Sequence, residues 1–148
     1  MLETTHSLAS ALIVSKIPSP AISFPLIIVA HYLLDLIPHW DTGGGLTSGL
    51  KSKKMAFIET LVDLAIAGIL VFVFFQKNNP FSPTLWFGVL LGITPDLLQF
   101  PALFLNLRPF PFNVLEKFHN SLHKGAPSFL SGLIPQLIII LLILLFNH

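Results

Sequence analysis

No cysteine occurs in the chain. Disulfides and thiolate-held metals are therefore excluded, and any bound metal would rest on nitrogen and oxygen ligands. Charge is scarce as well: only 10% of the 148 residues are Asp, Glu, Lys or Arg, against roughly 25% in a soluble domain. The net charge of +1 and the lack of basic clusters with interleaved aromatics give no footprint for nucleic acid. No basic stretch precedes the first apolar segment, and Lys16 follows it, so a cleaved signal peptide is not expected. The glycine-rich stretch DTGGGLTSGLKSKK follows no strand and lacks the Gly-Lys-Ser/Thr order, which excludes a phosphate loop and leaves a flexible connector.

Hydrophobic residues are plentiful, at 53% of the chain with a mean hydropathy of +0.81. Four apolar segments, at 21–38, 55–76, 84–106 and 127–147, come close to the roughly 20 helical residues needed to cross a bilayer. The first is short, and Pro95 and Pro101 interrupt the third. A shorter helix over about 5–16, ended by Pro18 and Pro20 and capped by Thr4 or Thr5, packs against the others or enters the bilayer halfway. An amphipathic stretch near 113–124 makes a sixth helix. All are expected to be helical, because an open sheet cannot satisfy its backbone in lipid. The expected fold is all-α: an integral membrane helical bundle of four transmembrane helices, an N-terminal helix and an amphipathic helix, forming one domain over 1–148.

If the chain alternates sides, one face carries Lys51, Lys53, Lys54, Arg108, Lys117 and Lys124, and the other only Lys16 and Lys77. The positive-inside rule places the first face, with the N-terminus, in the cytoplasm at the inner membrane. His6, His31, Asp35, His39, Asp41, Glu59, Asp63, Asp96, His119 and His123 all fall toward that face. Ionisable groups at membrane depth are costly and need partners. The later apolar runs contain no Lys or Arg to serve, whereas a divalent metal neutralises carboxylates and accepts neutral imidazole.

The spacing supports a metal. His31 and Asp35 stand four residues apart, on one face of a helix. Glu59 and Asp63 repeat the spacing with two carboxylates that repel unless metal, protons or a lysine holds them; Lys51, Lys53 and Lys54 are near enough to reach Glu59 but hardly Asp63. Asp96 follows Pro95 within an apolar span, where Gly92 permits close helix approach and Gln99 stands one turn on, either to orient the carboxylate or to contact substrate. His119 and His123 form another four-residue pair, without the glutamate of the metalloprotease signature. The expected metal ligands are His6, His31, Asp35, Glu59, Asp63, Asp96, His119 and His123, with Asp96 or Asp63 as the base. His6 reads equally as a residue of the helix cap. His39 and Asp41, after Pro38, are either part of the site or ordinary loop residues. Glu3 and Glu116 read as solvated, and His148 has no evident role.

The stretches THSLASALIVSK, HYLLDLIPHWD, GITPDLLQF and KFHNSLHKG resemble small bacterial membrane proteins grouped as membrane-bound, metal-dependent hydrolase-like. In that resemblance His6 matches an early histidine, His31 and Asp35 a helical His-x-x-x-Asp, Pro95 and Asp96 a Pro-Asp element, and His119 with His123 a histidine pair. The longer Pro-Asp-x-Asp-His form is missing, since Leu98 and Gln99 fill its last positions. A fainter resemblance, to helical zinc-dependent phospholipases C and nucleases, implies phosphoester chemistry.

These features predict a hydrolase with one to three divalent ions, zinc first and Mn or Fe next. It would act on a small amphiphilic or phosphoester substrate among membrane lipids at the cytoplasmic interface. The rival expectations are a metal-ion or proton-coupled transporter and a structural membrane protein whose polar pairs join helices.

Overall fold

The structure is a computed structural model that describes residues 1–46 and 50–147. Residues 47–49 of the glycine-rich connector, and His148, lie outside them. The described residues form α1 (Glu3–Lys16), α2 (Pro20–Asp35), α3 (Lys53–Val71, continued as a π-helical turn over Phe72–Gln76), α4 (Pro83–Leu97), α5 (Phe100–Leu105), α6 (Phe112–Leu122) and α7 (Phe129–Phe146). α4 and α5 make one broken rod, so the bundle has six rods.

Three rods are long and apolar enough to cross a membrane: Lys53–Gln76, Pro83–Leu105 and Phe129–Phe146. The expected fourth span is corrected by its length. α2 has 16 residues, or about 24 Å at 1.5 Å per residue, short of a hydrocarbon core of about 30 Å. Prolines set both limits: Pro20 starts the helix at its first turn, and the chain leaves it before Pro38. The third span bends differently from expectation too. The helix runs through Pro95 and breaks at Leu98–Gln99, where Pro101 then opens α5.

α1 is the axis of the bundle. Thr4, Thr5, His6, Ser7, Leu8, Ser10, Ala11 and Val14 are all buried, against α2, α3, α4 and α7. Its small polar residues explain this position, because they let neighbouring backbones approach closely. α4 answers with Gly88 and Gly92, where a Cβ would overlap Val14 and Ser10 Oγ respectively. Below them a dry core of Leu8, Ala11, Val14, Ile27, Val71, Phe75, Leu85, Val89 and Ile143 fills the bundle. Outward, Leu61, Val62 and Ile69 of α3 and Leu130, Leu137, Leu141 and Leu145 of α7 are exposed, as a lipid-facing surface requires.

The start of α1 is held in an unexpected way. Leu2 occupies the cap position and offers no side-chain bond. Asp63 of α3 supplies the cap instead: its carboxylate accepts from Glu3 N–H at 2.6 Å, Thr4 N–H at 3.3 Å and Thr4 Oγ1 at 2.6 Å. Thr4 is thus a donor to a cap, and neither threonine is the cap.

Two long-range ties fix the same end of the bundle. The segment after α2 runs beside the segment after α6: Lys124 N–H donates to Asp35 O at 3.0 Å, His39 N–H to Lys124 O at 3.0 Å, and Ala126 N–H to His39 O at 2.8 Å. Gln136 of α7 donates to Trp40 O at 2.8 Å and accepts from Leu2 N–H at 2.8 Å. Gly132 lets α7 pass there, since a Cβ would overlap the backbone of His39 and Trp40.

Candidate metal centre

The start of α1, the end of α2, the end of α4 and the inner face of α6 meet at this end. They bring His6, His31, Asp35, Asp96 and His119 together. The amphipathic pattern of α6 turns His119, alone in that helix, into the interior.

Four of these residues form a compact group: ligand atoms of His31, Asp35, Asp96 and His119 all lie within 4.8 Å of one another. His31 Nε2 and His119 Nε2 each stand 3.3 Å from Asp35 Oδ2, and His119 Nε2 stands 3.3 Å from Asp96 Oδ1. Ligands of a four-coordinate ion with bonds of about 2.0–2.1 Å are separated by roughly 3.3 Å. His6 Nε2 borders the group, 3.2 Å from Asp35 Oδ1 and 3.7 Å from Asp96 Oδ2. Its ring stacks on that of His31, with centroids 4.0 Å apart.

The buried ligand atoms of this group could hold a cation. His31 Nδ1 lies 2.7 Å from Gly92 O. A carbonyl only accepts, so Nδ1 carries the proton, and in the neutral ring Nε2 is a bare lone pair facing a carboxylate oxygen. His31 Nε2, both nitrogens of His6, both nitrogens of His119, Asp35 Oδ2 and Asp96 Oδ2 are buried without a hydrogen-bond partner. Buried polar atoms are seldom left so. A metal ion satisfies lone pairs of both kinds at once. Such histidines commonly fix their far nitrogen on a carbonyl, as His31 does.

A second group lies alongside: ligand atoms of His39, Asp41 and His123 also fall within 4.8 Å of one another. His39 is fully buried, its Nδ1 2.7 Å from Ile37 O and its Nε2 2.8 Å from His123 Nε2. His123 Nε2 stands 3.2 Å from Asp41 Oδ2. Burial holds the His39 imidazole down at about 4, hence neutral at physiological pH. Burial acts to raise the Asp41 carboxyl, but the hydrogen bond from His123 together with the charges of the Met1 ammonium, His123 and His39 holds the group at about 2. Burial lowers His119 likewise.

The Met1 amino group reaches Asp35 Oδ1 at 2.8 Å and, among the described residues, is the one cation besides the histidines paired with that carboxylate. Glu59, expected as a ligand, is instead paired with Lys51 Nζ at 2.5 Å. Asp63, expected as ligand and base, is the cap of α1 and lies outside both groups. The ring pair His119/His123 is divided between the two groups. Gln99 Nε2 donates to Asp96 Oδ1 at 3.2 Å, the orienting contact its spacing suggested. Glu3, read as solvated, is buried, with Oε2 unpartnered.

His39 and Asp41, left open by their loop position, belong to the second group. The signal for His39 was present: His31, Asp35 and His39 continue one four-residue period, and His39 Nε2 lies 3.8 Å from Asp35 Oδ1. A cavity of about 260 Å³ adjoins both groups, with Asp41, Asp96, His123 and Glu3 on its polar wall and Leu97, Phe100, Leu103 and Phe104 on its apolar wall.

Comparison with family models, curated proteins and solved structures finds no match. What stands on the residues alone is a helical protein with three apolar helices of spanning length and buried His/Asp groups that could hold metal.

Proposed function

We propose that the protein is a membrane-embedded, divalent-metal hydrolase acting on a phosphoester of a lipid-like substrate. The observation that carries this is the set of partnerless ligand atoms of His31, Asp35, Asp96 and His119, spaced as around an ion. Imidazole and carboxylate without sulfur suit zinc best, with Mn or Fe next. A bound ion of this kind acidifies water and polarises the scissile bond.

The protein's own residues would do the rest. Asp35, His31 and His119 would hold the ion. Asp96 lines the cavity, its Oδ1 accepting from Gln99 and its Oδ2 unpartnered. Glu3, whose Oε2 is buried without a hydrogen-bond partner, also lines that cavity. The apolar wall of Leu97, Phe100, Leu103 and Phe104 would take an acyl or isoprenoid chain while the head group faces the ion. A transporter fits less well: beyond the centre the interior is the dry core from Leu8 to Ile143, and the far-side lysines, Lys16 and Lys77, are exposed.

The test is hydrolysis by purified protein in detergent, over a panel of lipid and water-soluble phosphoesters. Turnover should vanish on chelation and return with zinc. Metal or proton flux in liposomes without turnover would remove the hydrolase.

The proposal places the centre on the cytoplasmic side. Because the chain has no cysteine, single cysteines report topology directly. Ser52 caps α3 through Met55 N–H, so the reporter belongs at exposed Leu50. Cysteines at Leu50 and Ser121 should resist an impermeant thiol reagent in intact cells and react after lysis, and one at Asn78 should do the reverse. Labelling of Leu50→Cys in intact cells would invert the orientation.

A further inference from the structure

We propose that His39, Asp41 and His123 hold a second divalent cation, joined to the first through the carboxylate of Asp35, so that a phosphoester is gripped between two ions. The phosphoester rests on the hydrolase reading above; the second ion does not.

The geometry is specific. His39 Nδ1 gives its proton to Ile37 O at 2.7 Å, so Nε2 has only a lone pair to offer. That lone pair faces His123 Nε2 at 2.8 Å, while His123 Nε2 faces Asp41 Oδ2 at 3.2 Å. A proton on His123 Nε2 would have to point at two acceptors in different directions. A cation among the three atoms serves all of them; the three lie within 4.8 Å of one another, and two of the separations, 2.8 and 3.2 Å, are near the roughly 3.3 Å expected between ligands of one ion. The histidines are held for this. The backbone pairing of His39 with Lys124 and Ala126 fixes the two segments side by side, independently of any side chain in the group.

Asp35 connects the two positions. Its Oδ2 faces His31 and His119 of the first group, each at 3.3 Å, and its Oδ1 faces His39 Nε2 at 3.8 Å. One carboxylate oxygen on each ion is the arrangement of paired sites, in which ions about 3.5–4 Å apart clamp the attacking and leaving oxygens. The Met1 ammonium also reaches Oδ1 at 2.8 Å, and His6 Nε2 stands 3.2 Å from it; the ammonium takes one of that oxygen's two lone pairs and leaves the other for an ion.

Charge favours two ions over one. Against Asp35, Asp41 and Asp96, a single divalent ion leaves no positive excess even with the Met1 ammonium counted. A second ion leaves a positive site, which an anionic phosphate needs. The cavity is bordered by Asp96 from the first group and by Asp41 and His123 from the second, so a head group entering it meets both positions.

The experiment is metal stoichiometry and electron paramagnetic resonance on the full chain in detergent, loaded with Mn(II). Wild type should hold two ions with a spin-coupled signal. Asp41→Asn and His123→Ala should each hold one, with the six-line signal of an isolated Mn(II), and His31→Ala should lose the coupled signal too. Helix content by circular dichroism and a single gel-filtration peak establish that each variant is folded; Asp41→Asn, at the rim, keeps the test open if His123→Ala misfolds. A single ion in wild type, kept by Asp41→Asn but lost by His31→Ala, would overturn the second site and leave the hydrolase reading intact. Two uncoupled ions, or two ions retained by both Asp41→Asn and His123→Ala, would overturn it equally. Wild type without any ion would remove both proposals.

Discussion

Asp35→Asn is expected to leave the protein folded and without bound metal, and so without hydrolysis. Asp35 is fully buried and is the one carboxylate approached by His6, His31, His39 and His119 together. Asparagine keeps its shape and an acceptor oxygen but removes the charge that holds a cation. The activity loss should exceed the roughly 10–100-fold typical when only a hydrogen-bond partner of a ligand is removed. Stability gives an independent readout. An ion present at 100 times its dissociation constant stabilises the folded state by about 2.7 kcal/mol. Wild type should therefore gain in melting temperature on adding zinc, and Asp35→Asn should gain nothing. Asp35→Ala is a poorer probe, because it also takes away the acceptor of the Met1 ammonium and leaves a cavity at a fully buried position. An Asn variant that still binds zinc and still rises in melting temperature would show Asp35 to be a helix-joining residue.

The sequence made the spans legible where the physics is additive. α3 and α7 are long apolar runs, and α6 declares itself by its two faces. α1 was not legible as the axis of the bundle. Its Thr and Ser residues look like a solvated face, but in a membrane bundle small polar residues mark close packing, and only the glycines of α4 opposite them reveal it. The site was half legible for a similar reason. His31/Asp35 and Glu59/Asp63 have the same spacing, yet one pair faces other ligands and the other is divided between Lys51 and the start of α1. Spacing along a helix sets which face two side chains share. What that face meets is decided by tertiary packing. His39 lay beyond Pro38, where helical spacing was taken to end, although its backbone is carried on by the pairing with Lys124 and Ala126.

Asp63 and Asp96 therefore separate by experiment, although both are carboxylates inside apolar helices. Asp96→Ala should abolish hydrolysis, and adding Asp96→Ala to Asp35→Asn should make it little worse, because residues that act through one site are non-additive. Asp63→Ala should instead unfold more easily while keeping its metal. It strips the acceptor from Glu3 N–H and Thr4 N–H at the buried start of α1; a lost cap costs about 0.5–2 kcal/mol, and each buried donor left unsatisfied about 1–3 kcal/mol. Asp63→Asn retains one acceptor oxygen and should recover part of that loss. Because α1 also carries His6, the Asp63 variants should show weaker zinc affinity before they show fewer ions. The readouts are the melting temperature with zinc chelated and the metal content of the folded fraction. An Asp63→Ala protein that melts like wild type but has lost its ion would return Asp63 to the metal centre. The hydrogen bonds from Glu3 and Thr4 would then have to be what forms there when the ion is absent.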